Sequence, residues 1–365
     1  MGQHVTHTVN LQDHEDAARA VLDDGAWAYF SGGAADEITL GRNQQAWQQW
    51  ALAPRVLQNL RGGHTHCQLL GQTWPFPLLV APMALQRWAH PDGEAAMALA
   101  AASQQCGMVL SHQTSTDLHT VAQLTRQMAL QGTERGPLWF QLYAHGDRGA
   151  LAELVQQVEA AGYEALVLTV DAPVSGARDR ERRHAAARPA HIHAVHAQPP
   201  AVASAIGLCQ GLANSAPTWD DVTWLQSRTR LPILLKGITH PLDAKQAAQL
   251  ALAGLIVSNH GGRTLDTMPA TAELLPRVAD AVQGEMTLLV DGGIRRGTDI
   301  FKALALGADA VLVGRPCVYG LAHAGAQGVA HVLRLLRDEF EIALALSGCA
   351  TPEAITRHHL FGNTP

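Results

Sequence analysis

Eight short apolar runs recur along the chain, and each closes on a turn or a polar residue. They are 78-LLVAP-82, 108-MVLS-111, 138-LWFQLY-143, 165-ALVLTVD-171, 232-PILLKG-237, 254-GLIVSNHG-261, 287-TLLVDGG-293 and 310-AVLVGRP-316. Runs this short, rich in Val, Ile and Leu and without strict alternation, predict strands buried on both faces. Helical spacing fills the intervals, as in Glu94–Ser103, Gly149–Ala161, Pro241–Leu252, Ala270–Val282 and Thr298–Leu306. Strand and helix alternating eight times predict an α/β protein, a closed (β/α)8 TIM barrel. An open doubly wound sheet is the alternative the same pattern allows. The 365 residues suit a single domain over 1–365, with the barrel proper at about 76–320.

The residues before the barrel form an N-terminal extension, with one helical segment at Asp13–Ser31 that ends in Gly32–Gly33. A long loop follows strand 4, over 172–231, and its first part is rich in Arg, His, Ala and Pro. Such an insertion is either a lid or a solvated linker. Gly325–Leu346 has the spacing of an amphipathic closing helix.

Composition removes several classes of function. The net charge is −6, so no basic field favours nucleic acid or anionic lipid. No apolar run is long enough to span a membrane. Five scattered cysteines without a C-x-x-C pair indicate reduced thiols and a cytoplasmic protein. The first residues lack a signal-peptide core. Thr6 fits a myristoylation pattern, but nothing else suggests an anchor. His191, His193 and His196 lie close together without Cys or carboxylate neighbours, so no metal site is expected.

In a barrel of this kind the chemistry gathers where the strands end. Those ends here offer Ser111, Gln141, Tyr143, Thr169, Asp171, Lys236, Ser258, Asn259, His260, Asp291 and Arg315. The segments DGGIRRGTD and GRP place glycines beside Arg295 and Arg315, an arrangement suited to a phosphate. His260 is the candidate base, since imidazole exchanges a proton near neutral pH. Asp171 is its candidate partner. Arg263 and Arg178 are candidate carboxylate ligands, although Arg178 also sits in a basic run that water alone would explain. Lys236 is either a Schiff-base lysine or, as we favour, a fixed charge beside a cofactor that becomes anionic.

SNHGGRTLD (258–266), DGGIRRGTDIFKALALGA (291–308) and LVGRP (312–316) resemble the FMN-dependent 2-hydroxy-acid oxidase and dehydrogenase family. That family includes glycolate oxidase, lactate oxidase, mandelate dehydrogenase and the flavin domain of flavocytochrome b2. AYFSGGAADEITL, APMALQRWAHPDGE, FQLY, LTVDAP, LPILLKG and RDEFEIALALSGC extend the likeness, in order, over nearly the whole chain.

The resemblance implies FMN, held at its ring by Pro82, Met83, Ala84, Ser111, Gln141 and Thr169, with Lys236 and Ser258 alongside. Asp291, Gly292, Gly293, Ile294, Arg295, Gly314 and Arg315 would take the ribityl chain and phosphate. Tyr29, Arg178 and Arg263 would bind the substrate carboxylate, Tyr143 its hydroxyl, and His260 would remove a proton with support from Asp171. The implied reaction turns (S)-2-hydroxy acids into 2-oxo acids with O2 as acceptor, in a homotetramer or homo-octamer. A quinone or protein acceptor, an FMN isomerase and a flavin-binding protein without catalysis are the rival readings. Met83 and Gln113 depart from the glycolate oxidase pattern and argue against a strict glycolate assignment; Gln113, in place of a bulky aromatic wall, predicts a pocket for side chains larger than that of glycolate. Ala84 resembles the oxidases.

Overall fold

The computed structural model describes residues 7–130, 132, 134–144, 146–184, 188–196 and 216–361. Eight parallel strands close a barrel in sequence order. They are β1 (Leu78–Val80), β2 (Gly107–Ser111), β3 (Leu138–Leu142), β4 (Leu166–Thr169), β5 (Ile233–Ile238), β6 (Gly254–Val257), β7 (Thr287–Val290) and β8 (Ala310–Val313). The open-sheet alternative is therefore excluded, because β8 pairs with β1.

The strands are buried on both faces, and their two faces do different work. Leu79, Val109, Trp139, Val167, Leu234, Ile256, Leu289 and Leu312 fill the barrel interior as one apolar cluster. Their neighbours, such as Leu78, Met108, Phe140, Leu168, Leu235 and Val290, pack outward against the helices in a second cluster. A hairpin, Cys67–Leu69 with Gln72–Trp74, closes the N-terminal end. Its Cys67 and Leu69 join the interior cluster, and Leu70 N donates to Thr287 Oγ1 at the start of β7.

The extension before the barrel holds three helices, α1 (Leu11–Val21), α2 (Asp24–Ser31) and α3 (Ile38–Gln48). The single helix expected over Asp13–Ser31 is two. Leu22 is extended, and the Asp23 side chain accepts from Ala26 N to start α2; an N-cap of this kind outweighs continued helical spacing. α1 packs on the C-terminal helical segment, with His14 buried between His331 (2.9 Å) and His323 (3.1 Å). Burial and these two neighbours lower the His14 pKa to about 4, so it stays neutral.

Helix Arg315–Ser347 breaks at Ala324 and Gly325. Its first part follows β8 directly, and the second is the expected closing helix. Within the loop after β4 a short helix spans Asp179–Arg183. Residues 185–187 and 197–215 of that loop lie outside the described residues, as do Cys209 and the Thr6 pattern. Among the described residues no helix is long and apolar enough to cross a membrane.

Candidate active site

The strand alternation that fills the interior also builds the site. Two residues beyond each interior apolar side chain stand Ala81, Ser111, Gln141, Thr169, Lys236, Ser258, Asp291 and Gly314. Side chains two apart share a face of a strand, so the polar ring caps the apolar interior. All of these but Ser258 line one cavity at the C-terminal end of the barrel. Counting its open mouth, the cavity holds about 960 Å³ of non-protein space. Tyr29, Pro82, Met83, Ala84, Gln113, Tyr143, Arg178, His260, Arg263, Gly292, Gly293, Ile294, Arg295 and Arg315 also stand in its wall. Ser258 and Asp171 sit behind that wall and hold the residues in front of them.

Lys236 is buried in the cavity wall. Its Nζ donates to Ser258 Oγ at 2.9 Å and pairs with Asp291 Oδ2 at 2.9 Å. Burial disfavours the ammonium, but Asp291 and Asp171 outweigh it and raise the Lys236 pKa. Its pairing with Asp291 and the upward shift fit a fixed positive charge better than a Schiff-base lysine.

His260 follows β6 in a left-handed conformation (φ 57°), which costs a non-glycine residue roughly 1–2 kcal/mol. Ser258 Oγ accepts from its backbone N–H at 3.0 Å and holds the turn. Its Nδ1 faces Asp171 Oδ1 at 3.0 Å, which leaves Nε2 for the cavity. Burial lowers the His260 pKa against the upward pull of Asp171, so the ring is neutral at pH 7. Burial alone would raise the Asp171 pKa, but His260 and Lys236 bring it below the ordinary carboxylate value.

The opposite end carries two guanidinium groups. Arg263 Nη1 donates to Tyr29 O (2.6 Å) and Gly32 O (2.9 Å), and its charge lies 5.3 Å from the Tyr29 ring centre. Arg178 Nη1 reaches Glu181 Oε2 at 3.1 Å. Burial raises the pKa of both Tyr29 and Tyr143, so both are neutral phenols.

Arg315 departs from the simple picture of a free phosphate ligand. Its guanidinium donates to Phe30 O, Gly261 O and Gly32 O at 3.1, 2.9 and 2.7 Å. It lines the cavity while tying α2 to the His260 turn. Burial, then Arg263, lowers its pKa to about 10, and it remains charged.

Three supports were not singled out in the sequence. Glu94 is fully buried and accepts from Gln86 N, Ser115 N, Ser115 Oγ and Thr116 Oγ1 at 2.8–3.0 Å, tying the loop after β1 to the loop after β2. Asn43 of α3 and Asn259 exchange side-chain hydrogen bonds at 2.8 Å. Trp47 Nε1 donates to Gly292 O at 2.8 Å. The partners of Asn43 and Trp47 lie more than two hundred positions away, and those of Glu94 lie 8 to 22 positions away in the loops after β1 and β2, so no local pattern marks them.

Gly293 has φ +82°, and a Cβ there would lie 2.0 Å from Asn43 O. Gly293→Ala should therefore displace the turn from α3. The expected result is a folded protein that loses most of its FMN on gel filtration; wild-type FMN content would show that the turn does not bind it.

The cavity wall leaves polar atoms to be satisfied. Among the described residues Gln141 Nε2 and Asp291 Oδ1 are buried without a hydrogen-bond partner, a costly state unless a ligand pairs with them. A polar ring above an apolar interior, with the Gly292–Gly293 turn, Arg295 and Arg315 in the same wall, fits a flat heterocycle that carries a phosphate.

A family model described as FMN-dependent dehydrogenase matches residues 18–361. The chain belongs to this family. An FMN-dependent dehydrogenase accounts for the unpartnered amide and carboxylate and for the glycine turn, and FMN is its cofactor. The chain is 44% identical to an L-lactate oxidase from Nostoc sp., covering 95% of this chain and 96% of that one. It is 40% identical to glycolate oxidase 1 from Zea mays, over 96% and 95%. The structure of a mandelate oxidase with (S)-2-phenylpropionate superposes with a TM-score of 0.87 at 37% identity, over 98% and 99%.

Proposed function

We propose that this FMN-dependent dehydrogenase oxidises (S)-2-hydroxy acids to 2-oxo acids, passing two electrons and two protons to O2 to give H2O2. The observation that carries this is the neutral, carboxylate-backed His260 lining one cavity with Arg178 and Arg263. Relatives named as oxidases support O2 as the acceptor.

Bound FMN supplies the two-electron acceptor. Pro82, Met83, Ala84, Ser111, Gln141 and Thr169 would hold its ring, with Lys236 as the nearby positive charge. Asp291–Arg295, Gly314 and Arg315 would hold its ribityl phosphate. Arg178, Arg263 and Tyr29 anchor the substrate carboxylate, and Tyr143 donates to or accepts from its hydroxyl. His260 takes one proton, from the α-carbon or from the hydroxyl, and Asp171 stabilises the imidazolium that results. A homotetramer or homo-octamer is the proposed assembly, supported by family resemblance and by the exposed Ile342 and Leu346 on the closing helix. We propose cytoplasmic residence, supported by the cysteines among the described residues, Cys67, Cys106, Cys317 and Cys349, which are buried and unpaired.

The test is anaerobic mixing of the holoenzyme with a panel of hydroxy acids, followed by air. Flavin absorbance should bleach and then recover with one H2O2 per turnover. Bleaching without rapid recovery would point to a quinone or protein acceptor, and no bleaching with any acid would defeat the proposal. Gln113 lines the cavity in place of a bulky aromatic wall, so L-lactate or a larger acid should exceed glycolate in kcat/KM. Acid precipitation should release FMN intact.

Arg263→Met should raise KM about 10- to 100-fold, the loss of one charge-assisted bond, with FMN retained. Lys at this position should rescue only in part, since it lacks the planar fork. Normal KM in Arg263→Met would remove the residue from substrate binding.

A further inference from the structure

We infer that Glu181 sets the net charge of the substrate-anchoring end, making the cavity selective for hydroxy acids with a single carboxylate. This rests on the anchoring role proposed for Arg178 and Arg263. Glu181 lies on helix Asp179–Arg183, and its Oε2 stands 3.1 Å from Arg178 Nη1 and 3.5 Å from Arg263 Nη2. One carboxylate oxygen thus meets guanidinium groups from two different loops. Arg178 Nε also donates to the Arg263 carbonyl at 3.4 Å, which keeps the two side chains together.

The neighbouring cations are already engaged. Arg180 pairs with both oxygens of Glu37, at 2.7 and 2.8 Å. Arg315 keeps its charge while it donates to three backbone carbonyls, and the proposed ribityl phosphate balances that charge in the holoenzyme; Lys236 is paired with Asp291. Arg188 is exposed, where water screens it. Tyr29 and Tyr143 contribute no charge. Two guanidinium groups and one carboxylate leave one positive charge for the ligand. A monoanion balances it, with good Coulomb energy in a partly buried site. A second carboxylate on the ligand would enter without a counter-charge and pay its desolvation unpaired. Without the charge of Glu181 the same fork would offer two positive charges and favour dianions.

Glu181→Gln keeps an acceptor oxygen and removes the charge, whereas Glu181→Asp keeps the charge. Each oxidised holoenzyme is titrated with acetate and with oxalate, read as perturbation of the bound-flavin absorbance, and assayed with L-lactate and L-malate. The Glu181 side chain is 30% exposed, so screening limits the effect to about five- to tenfold. Glu181→Gln should tighten oxalate over acetate by that factor and narrow the preference for lactate over malate similarly, with Glu181→Asp close to wild type. Equal weakening of both anions would make Glu181 a brace rather than a charge selector, and unchanged ratios would make it a solvated carboxylate; either overturns the inference. A wild-type flavin that no hydroxy acid reduces would sink the proposed reaction, while the oxalate-to-acetate ratio would still decide the role of Glu181.

Discussion

His260→Ala keeps the fold and the FMN but slows anaerobic flavin reduction by about 10²–10⁴-fold, the usual worth of a general base. The hydroxy acid must give up a proton as its electrons leave, and the candidates for receiving it are few. Lys236 is held in its ammonium form by Asp291 and Asp171, despite its burial. Asp171 is kept a weak base by His260 and Lys236. Tyr29 and Tyr143 are protonated phenols. Among the described residues that line the cavity, only the His260 imidazole combines a nitrogen left for the substrate with a suitable proton affinity. Burial lowers its pKa below the ordinary value of about 6.5. The base is therefore competent above that pKa and is lost as pH falls through it. Wild-type kcat/KM should be level near neutrality and decline only on the acid side, below pH 6.5 or so. Asp171→Asn should cost less than His260→Ala and move the acid limb further down, because it removes a pull that raises the His260 pKa. Stopped-flow reduction over a range of L-lactate concentrations and pH measures all three. A His260→Ala enzyme that reduces its flavin at the wild-type rate would assign the proton to another group.

Lys236→Met should be the most damaging single change to stability. The side chains of Lys236 and Asp291 are 5% and 9% exposed and lie 2.9 Å apart. Removing the cation strands a buried carboxylate, which costs about 3–5 kcal/mol. Denaturant unfolding of the apoprotein reads that loss without interference from bound FMN. Lys236→Met with Asp291→Asn should recover a large part of it, since the stranded charge is then gone. A Lys236→Met apoprotein as stable as wild type would show that the Asp291 charge is relieved by water or by another group.

Much of this site could be read along the chain, for one physical reason. A strand turns alternate side chains to one face, so Leu79, Val109 and Trp139 announce an interior and Ser111 and Gln141 announce its rim. The glycine turns and the strand-end polar residues are likewise local signals. What stayed hidden depends on closure in three dimensions. The break at Leu22–Asp23 is a contest between helical spacing and one capping side chain, and the cap wins. Arg315 carries the right charge in the right place, yet three backbone carbonyls claim it. Glu181 stands inside a run of charges that could equally be solvated; only its second partner, Arg263, distinguishes it.

The reciprocal amide pair between Asn43 and Asn259, with Trp47 on the Gly292 carbonyl, ties α3 to both the His260 turn and the Gly292–Gly293 turn. The unit of exchange for this protein is therefore larger than its barrel. A designer who grafts the loops after β6 and β7 onto another scaffold transplants two turns whose shape is dictated by a helix left behind. The segment preceding the first strand has to travel with them, and a substitution at Asn43 is in effect a substitution in the active site, although the residue lies more than two hundred positions from the histidine.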